Sequence, residues 1–329
     1  MKDSPHGDDH ARNGTCLGLG CAALGDPALA DADAQAVMRA AIERGIRFFD
    51  VAPLYGGGLA EERLGRVLHV LPRDAYTLCT KAGVTRPYGE PPLPPRATRR
   101  REFDRWDYSA AATRASVTTS LARLRVDRLD VVHLHDVEQH QDACMEAYGA
   151  LAQLRDEGVI GAIGIGSNFV EPVAHLLARA PFGAFLLAGR YTLLDASGRW
   201  LLAAAAANGV ATIVGGIFNS GILAVWPHPA PTFGYAPAAP DVLERAARIA
   251  AMCARHHVPL AAAALQFVLA NRTIATVLIG PRSIAELDAN LAAARYPIPD
   301  ALWSELEDDG VIPRGSPRPS ARTVALAAS

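Results

Sequence analysis

Eight times along this chain a short, almost unbroken apolar run gives way to a segment of helical periodicity, and that alternation constrains the fold more than any other feature. The runs lie at residues 16–20, 47–50, 77–81, 129–135, 162–166, 184–187, 211–214 and 275–279. The helical segments that follow them include residues 33–43, 61–70, 110–124, 142–157, one opened by Glu171 and Pro172, 197–207, 241–256 with 260–269, and 283–294. An apolar run with no polar alternation reads as a strand covered on both faces, as in a parallel sheet flanked by helices. Eight such units in 329 residues, with no Pro/Gly/Ser linker between them, predict an α/β fold built as one (β/α)8 TIM barrel rather than an open doubly wound sheet. The barrel is expected over residues 15–310, after a flexible polar leader at 1–14 and before a loosely held tail at 311–329. Residues 85–108 carry five prolines at 87–95, exceed the length of a plain connection, and are expected to cover the active face.

Chemistry on such a barrel gathers at the C-terminal ends of the strands. Those ends place Asp50, Lys81, His135, Ser167 with Asn168, Arg190, Gly215 with Gly216, and Gly280 together, and Tyr55 lies in the loop after Asp50. A tyrosine titrates near pH ~10 in water and is a poor proton-transfer group at neutral pH unless a cation stabilises its phenolate. Lys81 is the candidate cation, Asp50 its candidate partner, and His135 a donor for any oxygen that approaches the phenol. Taken singly, each has a plainer reading: a turn cap for Asp50, a surface charge for Lys81, packing for Tyr55 and a satisfied core residue for His135. Their convergence on one end of one barrel favours the chemical reading.

A formal net charge of -2 and a pI near 6.6 give no electrostatic reason to expect nucleic acid or an anionic membrane as partner. Residues 1–10 hold no apolar signal core and no later run is long enough to span a bilayer, so a cytoplasmic protein is expected. The five cysteines are scattered and read as reduced thiols in small apolar sites. Residues 18–23 fit a dinucleotide fingerprint loosely, but Gly25, Asp26 and Pro27 stand where its helix should open. His133, His135 and Asp136 suggest the beginning of a metal site, with no histidine at another strand end to complete it. His256 and His257 suit a solvated helix C-terminus. The arginines at 96, 99, 100 and 101 are expected to stay hydrated, or to meet an anionic substrate.

Seven segments carry a resemblance: 18–25 (GLGCAALG), 45–56 (GIRFFDVAPLYG), 107–109 (DYS), 129–136 (LDVVHLHD), 189–195 (GRYTLLD), 218–223 (FNSGIL) and 280–283 (GPRS). On them the chain resembles the aldo-keto reductases, in the branch that contains L-fucose, D-threo-aldose 1- and pyridoxal 4-dehydrogenases. The resemblance covers about residues 17–291. It implies that Tyr55 transfers the proton, with Lys81, Asp50 and His135 as its companions. It implies NAD or NADP as cofactor, with Ser167 and Asn168 on the nicotinamide carboxamide and the backbone at Phe218, Asn219, Ser220, Gly221 and Leu223 along the pyrophosphate. Arg282, Ser283, Glu286 and Asn290 are implied around the adenosine, and Tyr191, Gly215, Gly216 and Gly280 complete that site. The chain departs from many relatives in having Ala188 for a glutamine, a glycine near Gly215 for a stacking aromatic, and Leu54 for a histidine.

The substrate implied is a small sugar or aldehyde, a free aldose such as L-fucose first, bounded by Leu54, Tyr55, Trp106 or Tyr108, and Phe233. Glu286, where NADP-dependent relatives often carry a base, leans the cofactor toward NAD, while Arg282, whose guanidinium can hold a phosphate bidentately, pulls the other way, so NAD with tolerance of NADP is expected. Alternatives are a pyridoxal 4-dehydrogenase or general aldehyde reductase of the same family, a metal-dependent barrel hydrolase, and a cofactor-binding regulatory barrel. Oligomeric state is not legible.

Overall fold

The computed structural model describes residues 16–86, 104–234 and 236–319. Eight parallel strands, β1 (Cys16–Gly20), β2 (Phe48–Asp50), β3 (Thr77–Ala82), β4 (Leu129–His135), β5 (Ile160–Ser167), β6 (Ala184–Ala188), β7 (Ala211–Gly215) and β8 (Thr276–Ile279), close into a barrel in chain order, with β1 paired to both β2 and β8. Ten helices are described: α1 (Asp31–Glu43), α2 (Leu59–Gly65), α3 (Ala110–Leu124), α4 (Cys144–Asp156), α5 (Val170–Leu177), α6 (Arg199–Ala207), α7 (Pro240–Arg255), α8 (Leu260–Leu269), α9 (Ile284–Arg295) and α10 (Asp300–Asp308). No described helix is long and apolar enough to cross a membrane.

Side chains alternate across a strand, so each strand feeds two cores. Phe49, Leu78, Val132, Leu134, Val277 and Ile279 face outward into the large core under the helices. Phe48, Cys79, Leu186, Ile213 and Leu278 form a separate cluster inside the barrel, with Val131 and Ala188 against it. The same alternation turns Asp50, Lys81, His133 and His135 inward. Gly18 closes the lower interior, since a β-carbon there would stand 2.8–2.9 Å from Leu278, Phe48 and Thr276.

The expected strands and barrel are observed, with boundaries moved by a residue or two at the ends. The helix expected at 61–70 stops at Gly65 and continues as a short 3-10 turn at Leu68–Val70. α10 was not anticipated; its Leu302, Trp303 and Leu306 are fully covered, and Pro299 opens it. Val311 and Ile312, placed by the sequence reading at the start of a loose tail, are buried, because Arg245 donates to the Val311 carbonyl at 3.1 Å and both side chains enter the main core. The prolines and arginines of residues 87–103 lie outside the described residues. The two ends of that segment pair as antiparallel strands, Val84–Thr85 with Arg105–Trp106, sealed by a buried ion pair between Arg86 and Asp104 at 2.5 Å.

Candidate active site

The site begins with an ion pair at the upper end of the barrel interior. Lys81 Nζ lies 2.5 Å from Asp50 Oδ1 and donates to the Val51 carbonyl at 2.9 Å, with both side chains almost completely covered. Burial lowers the pKa of the ammonium, but the charges of Asp50 and Tyr55 and the hydrogen bonds to both outweigh it and raise the pKa above the ordinary value. Burial pushes the Asp50 carboxyl up while the ammonium pulls it back; the contact of 2.5 Å engages Oδ1, and Oδ2 is buried with no hydrogen-bond partner among the described residues. Behind β3, Thr80 donates to the buried Glu61 at 2.7 Å, which also meets Arg123 at 3.2 Å and so braces the strand from the helix side.

Tyr55 stands over this pair. The ammonium lies 4.9 Å from its ring centroid, and the His135 ring meets it edge-on at 6.0 Å and 88°. All four residues singled out from the sequence therefore meet at one point. Tyr55 is held by a close backbone approach of Gly25 on one side and Gly56 on the other. A β-carbon on Gly25 would stand 2.7 Å from the Tyr55 carbonyl, and one on Gly56, at φ +67°, 2.0 Å from the Gly25 carbonyl. Gly25→Ala is expected to cost about 1–3 kcal/mol of stability and to lower kcat by displacing the tyrosine. Gly149→Ala, on α4 with nothing within 4 Å of the added carbon, is the control and should be neutral or stabilising. Equal denaturant midpoints for the two variants would refute the contact.

His133 lies two residues below His135 on the same inner face and is the register partner of Lys81. It has no exposure, and burial first, then Lys81 and His135, hold its pKa well below the ordinary value, so it is neutral at pH 7. Gly164 makes room for it, since a β-carbon there would stand 2.2 Å from Nδ1. Among the described residues no group of three His, Cys, Asp or Glu is placed to hold a metal ion.

A second cluster adjoins the first at the end of β5. Glu138 Oε1 accepts from the Asn168 backbone at 2.9 Å, from its amide nitrogen at 3.2 Å and from Ser167 Oγ at 3.3 Å. Asp136 Oδ1 takes the same amide at 3.3 Å. Arg190, paired with Asp195 at 2.8 Å, donates to the Asn168 carbonyl at 2.6 Å and lies over Phe169. Asn168 is thereby held by backbone and side chain together, with its donors spoken for. Glu138 was missed from sequence; its signal is an acid three residues past a strand-end histidine.

The other predicted residues divide. Leu54 and Trp106 pack with Tyr55, Ala52 and Val84 beside the site. Tyr108 is brought there but not to its surface. It is 4% exposed, its hydroxyl donates to the His135 carbonyl at 2.6 Å, and it serves as an anchor rather than a wall. His140, also missed, packs its ring against Trp106 and Tyr108 at 5.8 and 5.6 Å. Phe233 sits in a two-residue strand beside the turn at Asn219–Gly221. Tyr191 is buried and stacked on Phe267 of α8 at 5.0 Å, which places its ring in the helix layer.

The segment after β7 turns through left-handed backbone at Gly216, Asn219, Ser220 and Gly221, and Leu223 is buried beneath it. Beyond β8 and Gly280, Ser283 caps α9 by accepting from the Glu286 amide at 3.1 Å, while Glu286 Oε2 reaches back past the cap and accepts from the Arg282 amide at 2.8 Å. Glu286 and Asn290, four residues apart, share one face of that helix.

The profile of the Aldo/keto reductase family matches residues 16–308. The chain is 39% identical over 311 residues to a D-threo-aldose 1-dehydrogenase of a Pseudomonas species, covering 90% of this chain and 94% of that one. It is 36% identical over 324 residues to a pyridoxal 4-dehydrogenase of Microbacterium luteolum, covering 91% and 94%. Among solved structures, the holo form of an aldo-keto reductase from Bacillus halodurans superposes with a TM-score of 0.72 at 26% identity, covering 89% of this chain and 91% of that one.

Proposed function

The chain belongs to the aldo/keto reductase family, and from that premise we propose that it oxidises the anomeric carbon of a free aldose, L-fucose or a related D-threo-aldose, to the lactone. It is an oxidoreductase of a family that uses a nicotinamide cofactor. The observation that carries the reading is the chain from Asp50 through Lys81 to Tyr55, ending opposite His135.

The residues at the barrel mouth fit the cofactor. A β-carbon at Gly280 or Gly215 would meet its nearest neighbour at 3.6 or 3.7 Å, ordinary van der Waals contact, so the surrounding protein atoms do not themselves demand a glycine at either position. Asn219 Oδ1 is a buried acceptor with no hydrogen-bond partner among the described residues, and the left-handed turn around it can present backbone N–H groups to an anion. In this reading Ser167 and Asn168 hold the carboxamide, residues 218–223 run along the pyrophosphate, and Arg282, Ser283, Glu286 and Asn290 surround the adenosine. The bound nicotinamide supplies the hydride acceptor. Tyr55, as phenolate beside Lys81, takes the proton of the C1 hydroxyl; His135 donates to the same oxygen and orients it. Burial of Lys81 and Asp50 keeps water from screening the ammonium.

The aldose ring is read against Leu54, Tyr55 and Trp106, whose apolar surfaces suit the C–H faces of a sugar. Trp106→Ala is expected to raise KM for the aldose about tenfold, a change of ~1.4 kcal/mol, with the Kd for cofactor unchanged. An unaltered KM would remove Trp106 from the pocket. The function itself is tested with a panel of aldoses and pyridoxal, each with NAD and NADP, followed by absorbance of the reduced nicotinamide. Turnover of pyridoxal in preference to every sugar would replace this reading with the activity named for the Microbacterium relative.

A further inference from the structure

One charged contact joins the loop after β1 to the segment before α9: Arg282 Nη2 lies 2.7 Å from Asp26 Oδ2, with about a third of each side chain or less exposed. Asp26 is not a mobile loop acid. Its Oδ1 accepts from the Ala28 amide at 2.9 Å, and its carbonyl accepts from Arg63 at 3.0 Å. Arg63 is itself buried and also binds the carbonyls of Leu24 and Leu29 and the carboxylate of Asp31, so one guanidinium stitches the whole 24–31 segment to α2. Arg282 is held at its other end as well, since its amide donates to Glu286. Partial burial raises the pKa of Asp26, but the Ala28 amide first and Arg282 after it more than offset that and hold it below the ordinary value, so the carboxylate is charged at neutral pH.

We propose that Asp26 selects the cofactor: by holding Arg282, it withholds from a 2'-phosphate the guanidinium that would otherwise receive it. This rests on the reading that places the adenosine ribose beside Arg282 and Glu286. A 2'-phosphate entering there meets two fixed carboxylates, Asp26 and Glu286, and a guanidinium whose charge is already paired with one of them. Like charges in a partly covered site repel, and Asp26 cannot swing away because its loop is pinned. A ribose 2'-hydroxyl, by contrast, donates a hydrogen bond to either carboxylate without cost in charge. Nearby on α9, Asp288 holds Arg44 at 2.5 Å in the same manner, so that cation is engaged too. The resulting enzyme favours NAD, and the preference resides in an acid on the opposite side of the β1–β8 seam from the helix that contacts the ribose.

The test is Asp26→Asn, which keeps the acceptor for the Ala28 amide and removes the charge. Dissociation constants of NAD+ and NADP+ are measured by calorimetry alongside kcat/KM for each. The Kd for NADP+ should fall at least fivefold while that for NAD+ stays within twofold, and the double variant Asp26→Asn/Arg282→Ala should lose the gain. Equal changes for both dinucleotides, no change, or a gain that survives removal of Arg282 would each overturn the proposal. Should Asp26→Asn disturb the loop and lower the melting temperature, Asp26→Ser serves for the same measurement, because the ratio of the two constants does not depend on how much protein is folded. Failure of the underlying reading looks different: Glu286→Arg and Arg282→Ala would then leave both constants of the otherwise unmodified protein where they were.

Discussion

Replacing Tyr55 with phenylalanine is expected to lower kcat by about 10² to 10⁴, ~2.7 to 5.4 kcal/mol, while the cofactor still binds with unchanged Kd. The substitution deletes one oxygen and keeps the ring, so the cation–π contact with Lys81 at 4.9 Å and the edge contact with His135 at 6.0 Å both survive. What it removes is the titrating group. The fold should be untouched, because the hydroxyl faces the pair below rather than holding an element in place. Single-turnover measurements separate chemistry from product release, and the loss should appear in the chemical step. Retention of activity within about tenfold would sink the assignment of Tyr55 as the proton-transfer group, since ~1.4 kcal/mol is too small for loss of a general base.

Lys81→Met carries the second large effect, on activity and stability together. Without the ammonium the phenol's pKa returns toward its ordinary value near ~10, so oxidative turnover at neutral pH should drop by at least about a hundredfold and climb as pH rises toward that value. In the reductive direction the protonated phenol is the donor, and the same variant should lose rate at alkaline pH. A flat oxidative profile would count against the pairing. The stability cost has a separate signature. Removing one member of a buried pair leaves Asp50 uncompensated, at about 3–5 kcal/mol. Burial already raises the Asp50 pKa, and the variant removes the counter-ion that opposed that rise. A group whose folded pKa is raised contributes stability below its unfolded pKa and loses it as pH climbs through the folded value. Lys81→Met should therefore approach the wild-type melting temperature in mild acid and fall behind it at neutral pH. The double variant Lys81→Met/Asp50→Asn should recover stability at neutral pH without recovering turnover, which separates the two roles of the lysine.

Much of the site was legible because its residues are exceptions to their surroundings. An acid at 50, a lysine at 81 and histidines at 133 and 135 interrupt runs that are otherwise apolar or small, and a strand end is the place where such an interruption meets solvent. The supporting residues carry no such contrast. Glu138 sits among polar loop residues, and nothing local says that its carboxylate receives three donors from Ser167 and Asn168. Tyr108 and Tyr191 were read as facing ligand because each lies near a motif, yet one hydroxyl is taken by the His135 carbonyl and the other ring is stacked in the helix layer. Aromatic side chains reach far enough that their Cα position does not decide which side of a loop they serve.

The sequence by itself determined the number of strands, their parallel order and the end at which the polar exceptions gather. Those follow from apolar periodicity and from the shortness of the connections, both of which are local. Which face of each strand turns inward was settled by closure of the barrel, because a continuous apolar run has no periodicity of its own to show it. Closure also decided that Asp26 would meet Arg282: residues 256 apart in sequence come to 2.7 Å because β1 and β8 are the strands that join. The charges of the site are written in the chain, but which of them neutralise one another depends on pairings across that seam.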